Sequence, residues 1–148
     1  MDNLEIVKHF YTQLEQGNIE SAGNFLAEDF IFEGSLPQKF DKSTFLTIYG
    51  NLVHAFSDFN FHLLDLYEDD DIVSGVFQIS GFHSDTLDLS PINGPVIRAT
   101  GTEIRLSKDR FVAILLNEKI TRIYSSSSED EGIEGILQAI GSNLVKAA

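Results

Sequence analysis

The amino-acid sequence predicts an α+β domain in which helices cover one face of an antiparallel sheet. In the first third of the chain, apolar residues recur at the spacing typical of helices. After Phe56 they alternate with polar residues, as they do in strands. A last amphipathic segment follows the strands, and no repeat or linker divides the chain, so we expect one domain over residues 1–148.

Three helices are predicted before the sheet. The first covers residues 3–16 and ends at Gly17, and Asn18 is a candidate N-cap for a short second helix. A short strand around Phe32 and a proline-containing loop follow, and Asp41 is a second candidate N-cap, opening a third helix.

Alternating apolar residues then predict a meander of strands. The apolar residues occupy both faces of these strands, and helices can cover only one of them. We therefore expect a second copy of the chain to cover the other face, as a homodimer. The predicted strands are residues 59–64, 72–80, 96–106 and 119–126, and residues 111–116 either continue the strand 96–106 or form another. The final helix carries Ile133, Ile136, Leu137, Ile140 and Leu144.

The connection Gly81–Gly94, GFHSDTLDLSPING, is predicted to form the rim of a pocket, because hairpin connections of this length tend to be functional. Alternation along the incoming strand places His83 on the same face as Phe77 and Ile79, which we expect to be the inward face. An imidazole there can act as acid, base or hydrogen-bond donor near neutral pH. The alternative is a histidine that is held by a loop carbonyl and organises the rim.

Composition excludes several classes of partner. The net charge of −13, from 23 acidic and 10 basic residues, repels phosphate backbones and anionic lipid, so we expect neither a nucleic-acid nor a membrane partner. The chain has no cysteine, and no spacing of histidine and acidic residues suggests a metal site, so we predict no metal and no cofactor. The opening MDNLEIVKHF lacks the layout of a signal peptide, which favours a cytoplasmic protein.

Four stretches of the chain resemble a known family. VKHFYTQLEQGNIESAGNFLAEDFIFEG resembles the opening helices and first strand of the nuclear transport factor 2-like superfamily. AFSDF (Ala55–Phe59) resembles the Ala-Phe-Pro-Asp stretch of its SnoaL-like polyketide (ester) cyclases. GFHSDTLDLSPING is similar to their Gly-Thr-His-Thr-Gly loop, which ends in Pro-Pro-Thr-Gly, and GILQAIG (Gly135–Gly141) to their C-terminal Gln-Leu-Gly.

This resemblance implies a cone-shaped fold, with N-terminal helices packed on a strongly curved antiparallel sheet and a C-terminal helix, around an apolar cavity. Relatives use such cavities for aldol cyclisation of polyketide esters, for isomerisation, for dehydration or for binding alone. Fold does not decide between these functions.

The last strand departs from the family pattern. The resemblance implies an aspartate there as general base, four residues after an aromatic residue. Tyr124 stands at the aromatic position, which puts Ser128 at the acid position, and a serine hydroxyl is too weakly basic to take a proton from carbon. A gap in the alignment brings Asp130 or Glu131 into register instead. We favour a capping box for the final helix as the role of Ser128 and its neighbours.

Other polar and aromatic residues are candidates for the cavity lining. Glu103 is expected either to face the cavity or to form an ion pair with a neighbouring arginine. Tyr124 and Ser126 share a face and are predicted to line the cavity floor, where they would orient a ligand oxygen. Core packing is the alternative for these residues, as it is for three predicted wall residues, Tyr11, Phe32 and His54.

Three functions follow from this pattern. The first is binding of a small, largely apolar, carbonyl-bearing molecule in the internal pocket, without the family's cyclase base. The second is an active cyclase, isomerase or hydrolase that uses His83 with Asp130 or Glu131. The third is a dimerising interaction module whose cavity is filled by its own side chains, which the 12 phenylalanines would suit.

Overall fold

The computed structural model describes residues 1–34, 36–125 and 132–141. Its helices are α1 (Asn3–Glu15), α2 (Ile19–Gly23), α3 (Lys42–Ala55) and α4 (Gly132–Ala139). The strands are β1 (Leu26–Glu33), β2 (Phe40–Asp41), β3 (Phe56–Asn60), β4 (Leu64–Asp69), β5 (Ile72–Phe77), β6 (Ser80–His83), β7 (Leu87–Asp88), β8 (Val96–Ile97), β9 (Glu103–Arg105), β10 (Asp109–Leu116) and β11 (Lys119–Ser125).

Most of the strands form one curved sheet. Six of them lie in the order β2-β1-β11-β10-β5-β4, in which the β1–β11 pair is parallel and the other pairs are antiparallel. A second sheet has the order β3-β6-β9, and β7 pairs with β8 as a small hairpin. Helices α1 and α3 pack against the strands, so the predicted α+β cone is confirmed.

Side-chain caps explain where two helices begin. The Asp2 carboxylate accepts a hydrogen bond from the Glu5 N–H at 2.8 Å, and the Asp41 carboxylate accepts one from the Thr44 N–H at 2.8 Å. The predicted cap at Asp41 is therefore confirmed. Asn18 is the N-cap residue of α2, as predicted, but its side chain makes no capping bond, because its amide donates to Gln13 Oε1 instead.

The strand that was predicted over residues 72–80 is divided between the two sheets. β5 belongs to the large sheet and β6 to the small one, and Gln78 lies at the corner between them. Its N–H donates to the Phe61 carbonyl at 2.7 Å, and its side-chain amide donates to the Leu106 carbonyl at 2.9 Å. These bonds satisfy polar groups where the ladder is interrupted.

The structure also differs in detail from the predicted strand over residues 96–106 and from the predicted rim loop. Only β8 and β9 are extended within that strand. The loop folds back as the β7–β8 hairpin with a 3₁₀ turn at Ser90–Ile92, and it packs on α3. No helix in the described part of the chain is long and apolar enough to cross a membrane.

Gly75 on β5 is required by close packing around Phe111. A Cβ at this position would lie 2.5 Å from Leu66 Cδ2 and 2.8 Å from Phe111 Cε1. Because Phe111 is fully buried, its ring cannot move aside without disturbing the core.

We therefore expect Gly75→Ala to lower the free energy of unfolding by about 1–3 kcal/mol, measured by urea denaturation. Gly50→Ala is the matched control, because Gly50 lies within α3 and its added Cβ would lie 3.3 Å from the Ile19 side chain. Alanine favours the helix there and the half-buried Ile19 side chain is the group that has to shift, so any loss of stability should be smaller than in Gly75→Ala. Equal stability of Gly75→Ala and the wild-type chain would contradict this account of the packing.

Candidate functional site

A small cavity lies between β1, α3 and the start of α4. Its volume is about 10 Å³, which is room for about one water molecule. Phe32, Leu36 and Phe40 form its apolar wall, Ile133 of α4 covers it, and Tyr49 and Ser125 contribute polar side chains.

Two phenols and a carboxyl group are buried in the core, and one of the phenols, Tyr49, lines this cavity. Tyr11 of α1, Tyr49 of α3 and Asp109 of β10 are 6%, 7% and 4% exposed. Burial raises the pKa of Tyr11, and the charges of Tyr49 and Asp109 raise it further. Burial followed by the charge of Asp109 raises the pKa of Tyr49. Both phenols therefore keep their protons at neutral pH, and the carboxyl group of Asp109 lies close enough to influence both.

Strand alternation directs Asp109 inward. It pairs with Phe77 of β5, and it shares the inward face of β10 with Phe111, whose ring centroid lies 5.1 Å from that of Tyr11. The Arg110 N–H donates to Asp109 Oδ1 at 2.7 Å. Phe111 also pairs with Ser125 of β11, and Ser125 lines the cavity. Asp109 therefore lies two residues along β10 from a position whose strand partner borders the cavity.

Aromatic rings surround this polar cluster. Tyr11 makes an edge contact with Phe61 at 5.0 Å between ring centroids, and Tyr49 stacks on Phe45 at 4.6 Å and meets Phe32 at 5.6 Å. A few polar groups that converge inside apolar and aromatic walls are typical of small-molecule sites. Among the residues that the structure describes, no group of histidine and acidic side chains could hold a metal ion.

His83 is buried elsewhere in the core, on β6. Its ring stacks on Phe56 with centroids 4.9 Å apart, and its Nδ1 accepts a hydrogen bond from the Thr100 N–H at 3.1 Å. Since that N–H can only donate, a neutral His83 carries its proton on Nε2, which has no hydrogen-bond partner in the described part of the chain. Burial lowers the pKa of His83, and the nearby Asp85 opposes this effect only in part.

The structure brings some of the predicted site residues together. Tyr11 is near Asp109, Phe32 lines the cavity, and Phe77 is the strand partner of Asp109. Ile79 and His83 are buried with the same parity as Phe77 along the segment that runs from β5 into β6.

Three other predicted residues lie away from the interior. His54 is on the exposed side of α3, where its Nε2 is 3.3 Å from an Asp85 carboxylate oxygen. Glu103 is exposed on β9, at the edge of the small sheet. Tyr124 points to the outer face of the large sheet, because a bulge between Ile114 and Leu115 shifts the register of β11. The predictions for these three as cavity residues are corrected accordingly. Predictions for Ser126, Ser128, Asp130 and Glu131 fall outside the described residues.

Sequence reasoning missed Asp109 and gave Tyr49 only a packing role. A signal for Asp109 was present in the β10 sequence DRFVAILL, in which Asp109 has the same parity as the buried residues Phe111, Ala113 and Leu115. An acidic residue that alternates with the core-facing residues of a strand is buried, and a buried carboxyl group needs polar partners. The sequence pattern could not identify Tyr49 as a site residue, because tyrosine is common on the packing face of a helix.

The comparisons with known proteins agree with this architecture. The model of the SnoaL-like polyketide cyclase family matches residues 5–114, so the chain belongs to this family. Among curated proteins, none matches it significantly.

Solved structures with the same fold are distant in sequence. A candidate polyketide cyclase from Xanthomonas campestris pv. campestris is 16% identical, with a TM-score of 0.69 over 94% of this chain and 96% of that chain. One from Pseudomonas putida KT2440 is 17% identical, with a TM-score of 0.67 over 94% and 98%. A protein with a ketosteroid isomerase-like fold from Catenulispora acidiphila, solved with trimethylamine, is 12% identical, with a TM-score of 0.67 over 95% of both chains. These likenesses show the fold alone.

The buried His83 predicts a pH-dependent stability. Its pKa is lower in the folded than in the unfolded chain, so unfolding binds a proton at acid pH. This contribution to stability is full above the unfolded pKa of about 6.5 and is lost as the pH falls below it. We expect the urea midpoint to fall between about pH 7.5 and about pH 5.5, and the slope to be shallower in His83→Asn. The control His9→Asn, which changes an exposed histidine on α1, should keep the wild-type slope. An identical slope in His83→Asn and the wild-type chain would contradict the assignment.

Proposed function

We propose that this SnoaL-like chain binds a small, largely apolar, carbonyl-bearing molecule in the interior of its cone. The observation that carries the proposal is that Tyr11, Tyr49 and Asp109 are all buried among aromatic rings, with Asp109 close enough for its charge to raise the pKa of both phenols. A carbonyl oxygen accepts hydrogen bonds from phenols, and the rings of Phe32, Phe61 and their neighbours suit an apolar body.

A ligand of this kind needs more room than the closed cavity offers. Small-molecule sites have volumes of about 300 Å³ or more, so side chains around Tyr49 must move when a ligand enters. Ile133 and Leu36 are apolar residues of the cavity wall, so their side chains can be displaced without breaking a side-chain hydrogen bond. They are therefore the least costly side chains to displace. The same small volume supports the second candidate function, an interaction module whose interior is filled by its own side chains.

We propose that the reaction of the family's cyclases is not catalysed from the last strand of this chain. Ser128 stands at the position where the family carries its acid, and the family match ends at residue 114, before β11 begins. An active enzyme that uses His83 with Asp130 or Glu131 stays a prediction, as does a cytoplasmic location.

Acetophenone and α-methylstyrene test the binding proposal, because they have nearly the same shape and differ in whether the side group is C=O or C=CH₂. We expect acetophenone to bind about 5- to 10-fold more tightly, since one net hydrogen bond contributes about 1 kcal/mol. NMR titration measures both dissociation constants. In Tyr49→Phe, which keeps the ring and removes the hydroxyl, this preference should fall or vanish.

Tyr67→Phe is the matched control, because Tyr67 is an exposed tyrosine on β4, and this variant should keep the preference. Binding of neither compound would contradict the proposal and favour the interaction module. Equal binding of both compounds to the wild-type chain would leave an apolar pocket but remove the carbonyl from the proposal.

We also propose that two copies of the chain associate through the outer face of the large sheet. Arg122 and Glu33 form an ion pair 3.8 Å apart on this face, so their charges balance within one chain and do not repel a second copy. The strand register aligns apolar outer-face residues across five strands: Ile31, Tyr67, Ile72, Val112, Ile114 and Tyr124.

Sedimentation at micromolar concentration tests this interface. We expect a dimer for the wild-type chain and a monomer for Ile72→Glu, because a buried, unpaired carboxylate opposes association. Phe82→Glu is the matched control: both wild-type side chains are 43% exposed, but Phe82 lies on β6 in the other sheet, so this variant should stay dimeric. A wild-type monomer would contradict the interface.

A further inference from the structure

A groove between α1 and the segment that joins β3 to β4 lies outside the interior of the cone. Its volume is about 400 Å³, which is within the range of small-molecule sites, and exposed lining residues such as Lys8 and Asp65 mark the side that is open to solvent. Within the described ranges it shares no lining residue with the closed cavity, and Tyr11 is its contact with the buried polar cluster. A ligand can therefore occupy this groove without rearranging the core.

Hydrogen bonds between α1 and the opposite segment fix both ends of the groove. At one end the Leu4 N–H donates to Glu68 Oε1 at 3.0 Å, and at the other the Phe61 N–H donates to Glu15 Oε1 at 3.0 Å. From Leu4 to Glu15 the helix rises by about 16 Å. The groove is therefore elongated along α1 and has two different ends.

The segment opposite α1 leaves the regular sheet. His62 and Asp65 have left-handed backbone angles, with φ of 46° and 53°, and the β4–β5 pairing is irregular between Leu64 and Tyr67. Because the segment does not continue the ladder, it leaves a space beside the helix. Half-buried leucines line this space: Leu4, Leu63, Leu64 and Leu66.

The Glu15 end of the groove has a negative electrostatic potential. Glu15 is half-buried and is the last residue of α1, so its carboxylate lies at the negative end of the helix dipole. The last turn of this helix contains no basic residue that would offset these charges. Lys8, which also lines the groove, is about 10 Å from Glu15 along the helix axis. A cation is therefore favoured at this end.

Hydrogen-bond acceptors are available at the same end. Glu15 uses Oε1 for the Phe61 N–H, which leaves Oε2 for a ligand. Thr12 lies one helical turn before Glu15 and has a hydroxyl oxygen, and Asn60 lines the groove beside Phe61. An ammonium group has three N–H donors and no acceptor, so these oxygens are complementary to it.

We propose that this groove binds a primary amine with an unbranched apolar tail. The ammonium group lies at Glu15, and the tail runs along α1 over the four leucines towards Leu4. The net charge of −13 adds to the attraction, because it raises the concentration of cations around the whole chain. This site is separate from the proposed carbonyl-binding interior, and neither function depends on the other.

Three probes with the same eight-carbon chain test the proposal: octylamine, 1-octanol and octanoate, which are positive, neutral and negative at pH 7. We expect octylamine to bind about 5-fold more tightly than 1-octanol at about 20 mM salt, and octanoate to bind most weakly. The preference should shrink at about 0.5 M salt. ¹H–¹⁵N NMR titration measures the three dissociation constants and should show shifts at the Thr12 and Phe61 amides.

Glu15→Gln tests the position of the ammonium group. The amide oxygen of glutamine can still accept from the Phe61 N–H, so this variant removes the charge and keeps the end of the groove closed. The preference for octylamine over 1-octanol should fall by at least about 3-fold. Glu103→Gln is the matched control, because it removes one exposed carboxylate from β9 in the other sheet, and it should keep the wild-type preference.

Lys8→Gln keeps the proposal testable if Glu15→Gln does not fold, as judged by circular dichroism. Lys8 is exposed, and removing its positive charge from the lining should tighten the binding of octylamine and weaken that of octanoate. Unchanged affinities for both probes in this variant would overturn the proposed site.

The remaining outcomes decide the proposal directly. Absence of octylamine binding would overturn it, as would binding of 1-octanol or octanoate that is equal or tighter. A preference that persists unchanged in folded Glu15→Gln would overturn the role of Glu15. Shifts confined to Tyr49 and the closed cavity would place the amine in the interior and overturn the groove as its site. Shifts at Thr12 and Phe61 together with a preference that falls in Glu15→Gln would support the proposal.

Discussion

Contacts of the Phe45 ring hold the inner wall of the cone together. This ring, on α3, meets Phe10 of α1 at 6.1 Å, and it meets Phe30 and Phe32 of β1 at 5.3 and 5.1 Å. It therefore joins two helices and β1, a strand of the parallel β1–β11 pair, through aromatic packing, which contributes beyond the area that it buries. Because Tyr49 lies one helical turn further along α3 and stacks on Phe45, the position of the phenol at the cavity depends on the same contacts.

A second constraint is the burial of polar groups within this aromatic interior. Taking a carboxyl group and two phenols out of water is unfavourable unless they are compensated, and aromatic rings do little to compensate them. Proteins keep such groups where function requires them. Places where polar residues occupy positions that the fold makes apolar are therefore typical of functional sites. In this chain such positions are concentrated where α1, α3 and β10 meet.

Much of the fold could be predicted from sequence because its signals are local. The helices have apolar spacing and, at Asp41, a cap, and the inward parity of residues from Val73 to His83 continues unbroken through the corner at Gln78. Because the alternation continues, the sequence pattern does not reveal the change of sheet at Gln78. That corner depends on a hydrogen bond from the Gln78 N–H to the carbonyl of Phe61, which is distant in sequence. Tyr124 was misplaced because a bulge in the β10–β11 pair changes the parity, and a bulge leaves no clear pattern in one sequence. The Tyr11–Tyr49–Asp109 cluster could not be assembled at all, since its members come from three elements that only the tertiary fold brings together.

The distribution of tyrosines gives the chain a built-in optical reporter. It has no tryptophan to dominate its near-ultraviolet emission, and its four tyrosines divide evenly between environments. Tyr11 and Tyr49 are buried beside Asp109, whereas Tyr67 and Tyr124 are on the outer face of the sheet. Intrinsic fluorescence of the unlabelled protein therefore has one component from the interior and one from the outer face, and in a single, unassociated copy an aqueous quencher such as iodide reaches only the second. Changes in the unquenched component then report on the interior without any engineered label.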